Sequence, residues 1–199
     1  MFTLEPNTPL LLCLLAWVAL GIGMAVFRTR ESGPAARRDP RSLVGLGIQS
    51  LAATMVFAIH RELDRGPSLA EAMLRWGGVL LAWASAGVAI GAIRVLGRHW
   101  SLQARLLPGH RLVREGPYAH VRHPIYAAML GLLVGTGLNA TPWLVHAPAA
   151  ALYIAGTQLR LRTEEGLLLR EFGDEFVRYV AEVPALWPGR APKAPAQVR

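Results

Sequence analysis

Residues 114–135 read "REGPYAHVRHPIYAAMLGLLVG", and the segment changes character at Ile125. Its first half is basic and aromatic and carries two histidines, while its second half is a continuous apolar run. His123–Pro124 marks the boundary. Proline suits the first position of a helix, and the residue before it is pushed into an extended conformation. A helix is therefore expected to start at Pro124, with His123 held at its mouth. Tyr126 falls in the first turn, where free N–H groups and the helix dipole favour an acceptor or an anion.

Working outward, the rest of the 199-residue chain is built of similar apolar blocks, with 53% hydrophobic and only 17% charged residues. Pro9 to Phe27, Leu43 to Ile59 and Trp76 to Leu96 each approach the ~20 residues that cross a bilayer as a helix. Ile125 to Leu138 and Thr141 to Gln158 follow, and the tight junction Asn139-Ala-Thr-Pro142 predicts a helical hairpin. Thr141 is expected to cap its second arm, with Pro142 at the first position. The first arm is short, so its turn is expected below the far membrane surface. The predicted fold is an all-α polytopic membrane protein of about five transmembrane helices. Three N-terminal spans occupy residues 1–96. A region over 97–188 follows, then a Pro/Ala-rich tail over 189–199 that composition marks as disordered.

Ser68 and Glu71 have the spacing of a capping box, which starts the third helix ahead of its apolar block. Beyond Gln158, Leu168, Leu169, Phe172, Phe176, Tyr179, Val180 and Val183 follow helical spacing with charges between them. This predicts an amphipathic C-terminal helix on the inner face, interrupted at Gly173.

The formal net charge is +8, almost all from arginine. Arginines crowd the 28–42 loop, the 97–124 segment and the tail, whereas those at 61, 65 and 75 are balanced by Glu62, Asp64 and Glu71. Basic loops stay on the cytoplasmic side. The N-terminus is expected outside, and the 97–124 segment and the C-terminus inside. Membrane orientation accounts for the basicity, so nucleic acid is not an expected partner. The N-terminus lacks a basic leader and carries Glu5, so the first block reads as an uncleaved span. The lone Cys13 reads as a small buried hydrophobe. His60 and His146 lack partners at matching depth for a haem, and no HExxH, CxxC or glycine-rich phosphate loop occurs.

The polar residues worth chemistry fall in two groups, Gln103 to Tyr126 and Arg160 to Glu165. A hairpin brings the two groups together at the cytoplasmic interface. Arg160 and Glu164 are four apart and share a helix face. Arg160 can hold a carboxylate bidentately, and Glu164 can take an ammonium or a ribose. Glu165 is expected to point elsewhere.

Gln103, His110-Arg-Leu-Val113, Gly116-Pro-Tyr118 and Arg122-His-Pro-Ile-Tyr126, followed by Arg160, Glu164-Glu165 and Phe172-Gly-Asp-Glu-Phe-Val-Arg-Tyr179, resemble the signature of the isoprenylcysteine carboxyl methyltransferase family. That family is itself similar to the phospholipid N-methyltransferases. The resemblance implies S-adenosylmethionine as methyl donor. Its site would be lined by Gln103, His110, Arg111, Leu112, Val113, Tyr118, His123, Pro124, Tyr126 and Glu164, with Arg160 meeting the acceptor. The implied substrate is a lipophilic small molecule or lipid-linked carboxylate, met at the membrane surface with no metal. Having three spans ahead of the signature weighs against a prenylated protein as acceptor. Arginine-rich, lysine-poor usage suggests a GC-rich bacterial genome, and the expected location is then the bacterial inner membrane. N-methylation of an aminophospholipid, S-methylation of a small thiol, and a non-catalytic subunit keeping the fold stand as alternatives.

Overall fold

The computed structural model describes residues 7–27, 41–59, 68–97, 100 and 111–189. Gln103 and His110, the 28–40 loop and the tail from 190 lie outside the described residues. Along the described residues the chain forms α1 (Thr8–Val26), α2 (Arg41–Ala58), α3 (Leu69–Leu96), a 3-10 turn (Gly116–Ala119), α4 (Pro124–Ala140), α5 (Trp143–Phe172) and α6 (Asp174–Glu182).

α1, α2 and α3 are long and apolar enough to cross a membrane. α4 has 17 residues and so reaches about 25 Å at ~1.5 Å per residue. That is short of the ~30 Å hydrocarbon layer. α5 has 30 residues. Its apolar first half pairs with α4 as the predicted hairpin, and its charged second half continues beyond, with no break at Gln158. α6 is the predicted amphipathic piece. Gly173, at φ +50°, separates it from α5, a conformation that a Cβ disfavours.

Small and polar side chains face inward while large apolar ones face outward. Cys13, Ala16 and Gly23 of α1 are buried, whereas Leu11, Val18 and Ile22 are exposed. Membrane helices pack this way, since lipid tails reward close backbone approach rather than apolar burial. α3 meets α4 at Gly78 and Gly135, where a Cβ on Gly78 would stand 2.6 Å from the Gly135 carbonyl oxygen. α2 meets α5 in the same manner, with a Cβ on Gly45 landing 2.8 Å from the Gly156 carbonyl oxygen. α1 lies against α3 and α4, and its Trp17 indole donates to Thr136 Oγ1 at 3.0 Å.

The capping box forms as expected, with Ser68 as N-cap and Glu71 completing it. The expected cap at Thr141 does not form. Pro142 is the N-cap of α5, and Thr141 ends α4. The Thr141 hydroxyl donates instead to the Val56 carbonyl of α2 at 3.1 Å, because an unpaired acceptor at the end of that neighbouring helix is the better partner.

Candidate active site at the mouth of the hairpin

Three chain segments converge where α4 begins. They are residues 111–126, the α5 face from Thr157 to Glu165, and the strap formed by α6 and residues 183–186. The backbone sets the frame. Arg122 N–H donates to Pro184 O at 2.8 Å and His123 N–H to Ala185 O at 2.9 Å. Tyr179 Oη of α6 donates to Tyr118 O at 2.7 Å. Phe176, Tyr179, Val180 and Val183 form a small apolar core that takes in Leu112. The strap thus holds the loop ahead of α4 against the bundle.

Within this frame Arg122 is buried and fully engaged. Its Nε and Nη2 donate to Glu165 Oε1 at 3.1 and 2.8 Å. Its Nη1 donates to Val180 O and Val183 O at the end of α6, where a cation also complements the helix dipole. His123 Nε2 lies 3.1 Å from the same Glu165 oxygen, and its Nδ1 3.6 Å from Glu164 Oε2. Tyr126 Oη donates to Glu164 Oε1. The Arg160 guanidinium lies 4.9 Å over the Tyr126 ring. Its Nη1 donates to Gln49 Oε1 at 2.9 Å, and Gln49 Nε2 donates to Thr157 Oγ1 at 2.8 Å. A single polar network therefore runs from α2 through α5 to the mouth of α4.

Burial alone would disfavour the charged form of His123, but hydrogen bonds and charge from Glu164 and Glu165 outweigh it and raise its pKa above the ordinary value. Burial likewise opposes the charged Glu165, yet His123 and Arg122 hold its pKa below the usual carboxylate range. Burial pushes the Tyr118 phenol upward, reinforced by Glu164. The arrangement can hold Glu165 ionised beside a buried imidazole, and the Glu164 side chain, still 24% exposed, is able to accept from a ligand.

Of the sequence-predicted residues, His123, Pro124, Tyr126, Arg160 and Glu164 meet here. Val113 and Tyr118 stand one step away, packed on Ala92 of α3, and Leu112 lies under α6. Arg111 is on the surface, 3.4 Å from Glu115 in a solvent-exposed pair. One expectation needs correcting. Glu165 does not point elsewhere, because the strap brings Arg122 and His123 around to it. Arg160 and Glu164 share a face but reach different partners, Gln49 and Tyr126. Sequence reasoning gave no role to Arg122, Gln49 or Thr157. Gln49 had a usable signal as a lone amide within an apolar span, since such groups are costly there without a partner.

The model of the isoprenylcysteine carboxyl methyltransferase (ICMT) family matches residues 79–170, which run from α3 through the converging loop and hairpin to the charged end of α5. Over that stretch, a little under half of the chain, the protein is similar to the ICMT family. It is a methyltransferase family, and the helices described above make this protein an integral membrane one. A curated relative, the cobalt-zinc-cadmium resistance protein CzcN of Cupriavidus metallidurans, is 31% identical over 120 residues, covering 57% of this chain and 54% of that protein. The aligned stretch thus spans about half the length of that relative. Among the described residues no three His, Cys, Asp or Glu side chains come together as a metal site. Both outer parts of the network, Gln49 and the 180–186 strap, lie outside the stretch matched by the ICMT family, which ends at residue 170.

Proposed function

We propose that this protein transfers a methyl group from S-adenosylmethionine to the carboxylate of a lipophilic acceptor, at the cytoplasmic face of a bacterial inner membrane. The observation that carries the reading is the network of His123, Tyr126, Glu164 and Arg160. It stands at the start of a membrane helix, inside the stretch that matches the ICMT family. A soluble donor and a membrane-embedded acceptor have to meet at such a boundary.

The donor set fits the cofactor. Glu164 is anchored by Tyr126 and His123 yet keeps an accessible edge suited to an ammonium or ribose hydroxyls. Tyr118 stands close enough to feel the Glu164 charge, and Val113 and Leu112 belong to the apolar clusters on either side of it. When bound, S-adenosylmethionine supplies an electrophilic methyl on a sulfonium. The acceptor carboxylate needs no general base, since it is already ionised, and it attacks best when stripped of water. The chain's own groups therefore position and polarise. Arg160 orients the carboxylate as a permanent cation that cannot protonate it. Gln49 and the Tyr126 ring hold that guanidinium at the edge of the span. Arg122 and Glu165 lock the loop that carries His123.

The reading is tested by S-adenosylmethionine binding to detergent-purified protein, beside His123→Ala and Glu164→Ala. Micromolar binding lost in both variants is the expected result, and absence of binding by folded wild-type protein overturns it. Arg160→Ala is expected to bind the cofactor normally but to lose roughly 10²–10³ in turnover with a carboxylate acceptor, the scale of losing one oriented donor. Unchanged turnover with every acceptor tried would remove Arg160 from the site. The paired carboxylates Glu164 and Glu165 favour one second reading, an amine acceptor, which direct competition between aminophospholipid and carboxylate substrates decides.

A further inference from the structure

The side chain of Arg160 runs along α2. Its stem passes over Gly45, where a Cβ would stand 2.5 Å from Arg160 Cγ. Its Nη1 then donates to Gln49 Oε1 at 2.9 Å, one turn further along α2. The guanidinium thus leans back toward the N-terminus of α5, as helical side chains do. It lies over the Tyr126 ring, nearer than Glu164 to the apolar half of α5.

Gln49 and Thr157 form a relay whose direction is fixed at both ends. Arginine has only donors to offer, so the group that meets Nη1 has to be the amide oxygen of Gln49. The Gln49 NH2 then faces the other way and donates to Thr157 Oγ1 at 2.8 Å. Thr157 can accept there because its own proton is committed to the Tyr153 carbonyl, 2.9 Å away and one turn back on α5, a bond that helical threonines make readily. The relay starts at a group that can only donate and ends at one that can only accept. Without the Thr157 hydroxyl the amide NH2 would lose its buried partner. A flipped amide would set N–H against N–H at Arg160.

Arg160, Gln49 and Thr157 are all buried. The crossing at Gly45 and Gly156 holds α2 and α5 at the spacing the relay needs, and a Cβ on Gly156 would stand 3.1 Å from Gln49 Cγ. Many membrane amides serve only to join helices. Here the glycines already join the two helices, and the amide ends on the guanidinium that lies over Tyr126.

We propose that Thr157 and Gln49 are positioning residues for the acceptor. The threonine sets the direction of the glutamine amide, and the amide oxygen holds the Arg160 guanidinium at the depth where a lipid-borne carboxylate meets it. Both act through Arg160. This role rests on the reading in which Arg160 meets the acceptor, and it extends the site to a helix that lies outside the stretch matched by the ICMT family.

The full chain in detergent is assayed with S-adenosylmethionine and the better of two carboxylate amphiphiles, hexadecanoate and N-acetyl-S-farnesylcysteine. Thr157→Val, close in shape to threonine, should lower kcat/KM for the acceptor about tenfold, the scale of one buried hydrogen bond, with S-adenosylmethionine affinity unchanged. Thr157→Ser, which keeps the hydroxyl, should recover most of that loss. Gln49→Leu should lose at least as much as Thr157→Val, and combining the two should cost nothing further, since the relay is already broken. A merely structural pair would lower the unfolding midpoint and cofactor binding together and would give additive losses. Full acceptor turnover in Thr157→Val beside a deficient Arg160→Ala, or additive losses in the double variant, overturns the relay and leaves the role of Arg160 standing. Unimpaired turnover in Arg160→Ala, or no methyl transfer to either acceptor by wild-type protein, overturns both. Should Thr157→Val fail to fold, Gln49→Glu decides, having the shape of the native amide. Its carboxylate claims the guanidinium and should cut acceptor turnover as far as Arg160→Ala does, and unchanged turnover overturns the proposal.

Discussion

Arg122 is the residue on which the candidate site closes. It meets a carboxylate through two nitrogens and two carbonyls through the third, all within a buried corner. Replacing Glu165 by Gln removes the anion but leaves the guanidinium inside. We expect a loss of about 2 kcal/mol in unfolding stability, below the ~3–5 kcal/mol of a fully buried pair because Glu165 keeps some water. Arg122→Gln should cost a similar amount, and the double variant should cost less than the two summed, as thermal unfolding in detergent would read. The pH dependence follows from the shifts at His123 and Glu165. The raised pKa of His123 contributes stability that is complete below its ordinary 6.5 and disappears as pH rises through its folded value. The lowered pKa of Glu165 contributes stability present above its ordinary 4.5 and lost as pH falls through its folded value. Both contributions are present between those two ordinary values. Unfolding midpoints should peak there, and His123→Gln should flatten the alkaline side while leaving the acid side in place.

At the scale of the element, glycines decide which helices touch. On α3, Gly78 faces the Gly135 carbonyl while Gly87 faces open space. Gly78→Ala should therefore force α3 and α4 apart and cost about 1–3 kcal/mol, as overpacking does. Gly87→Ala should be neutral or stabilising by up to about 1 kcal/mol through helix propensity. Thermal unfolding of the two variants side by side checks this, and equal losses would contradict the crossing point. Sequence reading located the helix starts at Ser68 and Pro124 and the break at Gly173, because each rests on local backbone chemistry. It misplaced the start of α5 for the opposite reason. Thr141 has the right local chemistry for a cap, but α2, distant in sequence, offers its hydroxyl a free carbonyl.

At the scale of the whole molecule, the outward apolar surface and the inward small residues require a membrane around the bundle, and charge distribution sets the proposed orientation. In a background of Cys13→Ala, an impermeant maleimide applied to intact spheroplasts should label Asn7→Cys and spare Gly189→Cys. The reverse pattern would invert the topology and place the candidate site outside the cell.

Composition and periodicity alone determined that this is an all-helical membrane protein with a hairpin and an amphipathic end. Spans, caps and basic loops are written in residues near one another in the chain, and the solvent selects them one at a time. The two polar clusters were also legible, and hairpin geometry was enough to bring His123, Tyr126 and Glu164 together. Tertiary structure alone decided the rest. Glu165 enters the site because α6 and residues 183–186 fold back over the loop and turn Arg122 toward it. Gln49 enters because two glycines let α2 approach α5 closely enough for its amide to reach Arg160. Those contacts bridge 43 and 111 positions of sequence, and no local pattern encodes a partner that only packing supplies.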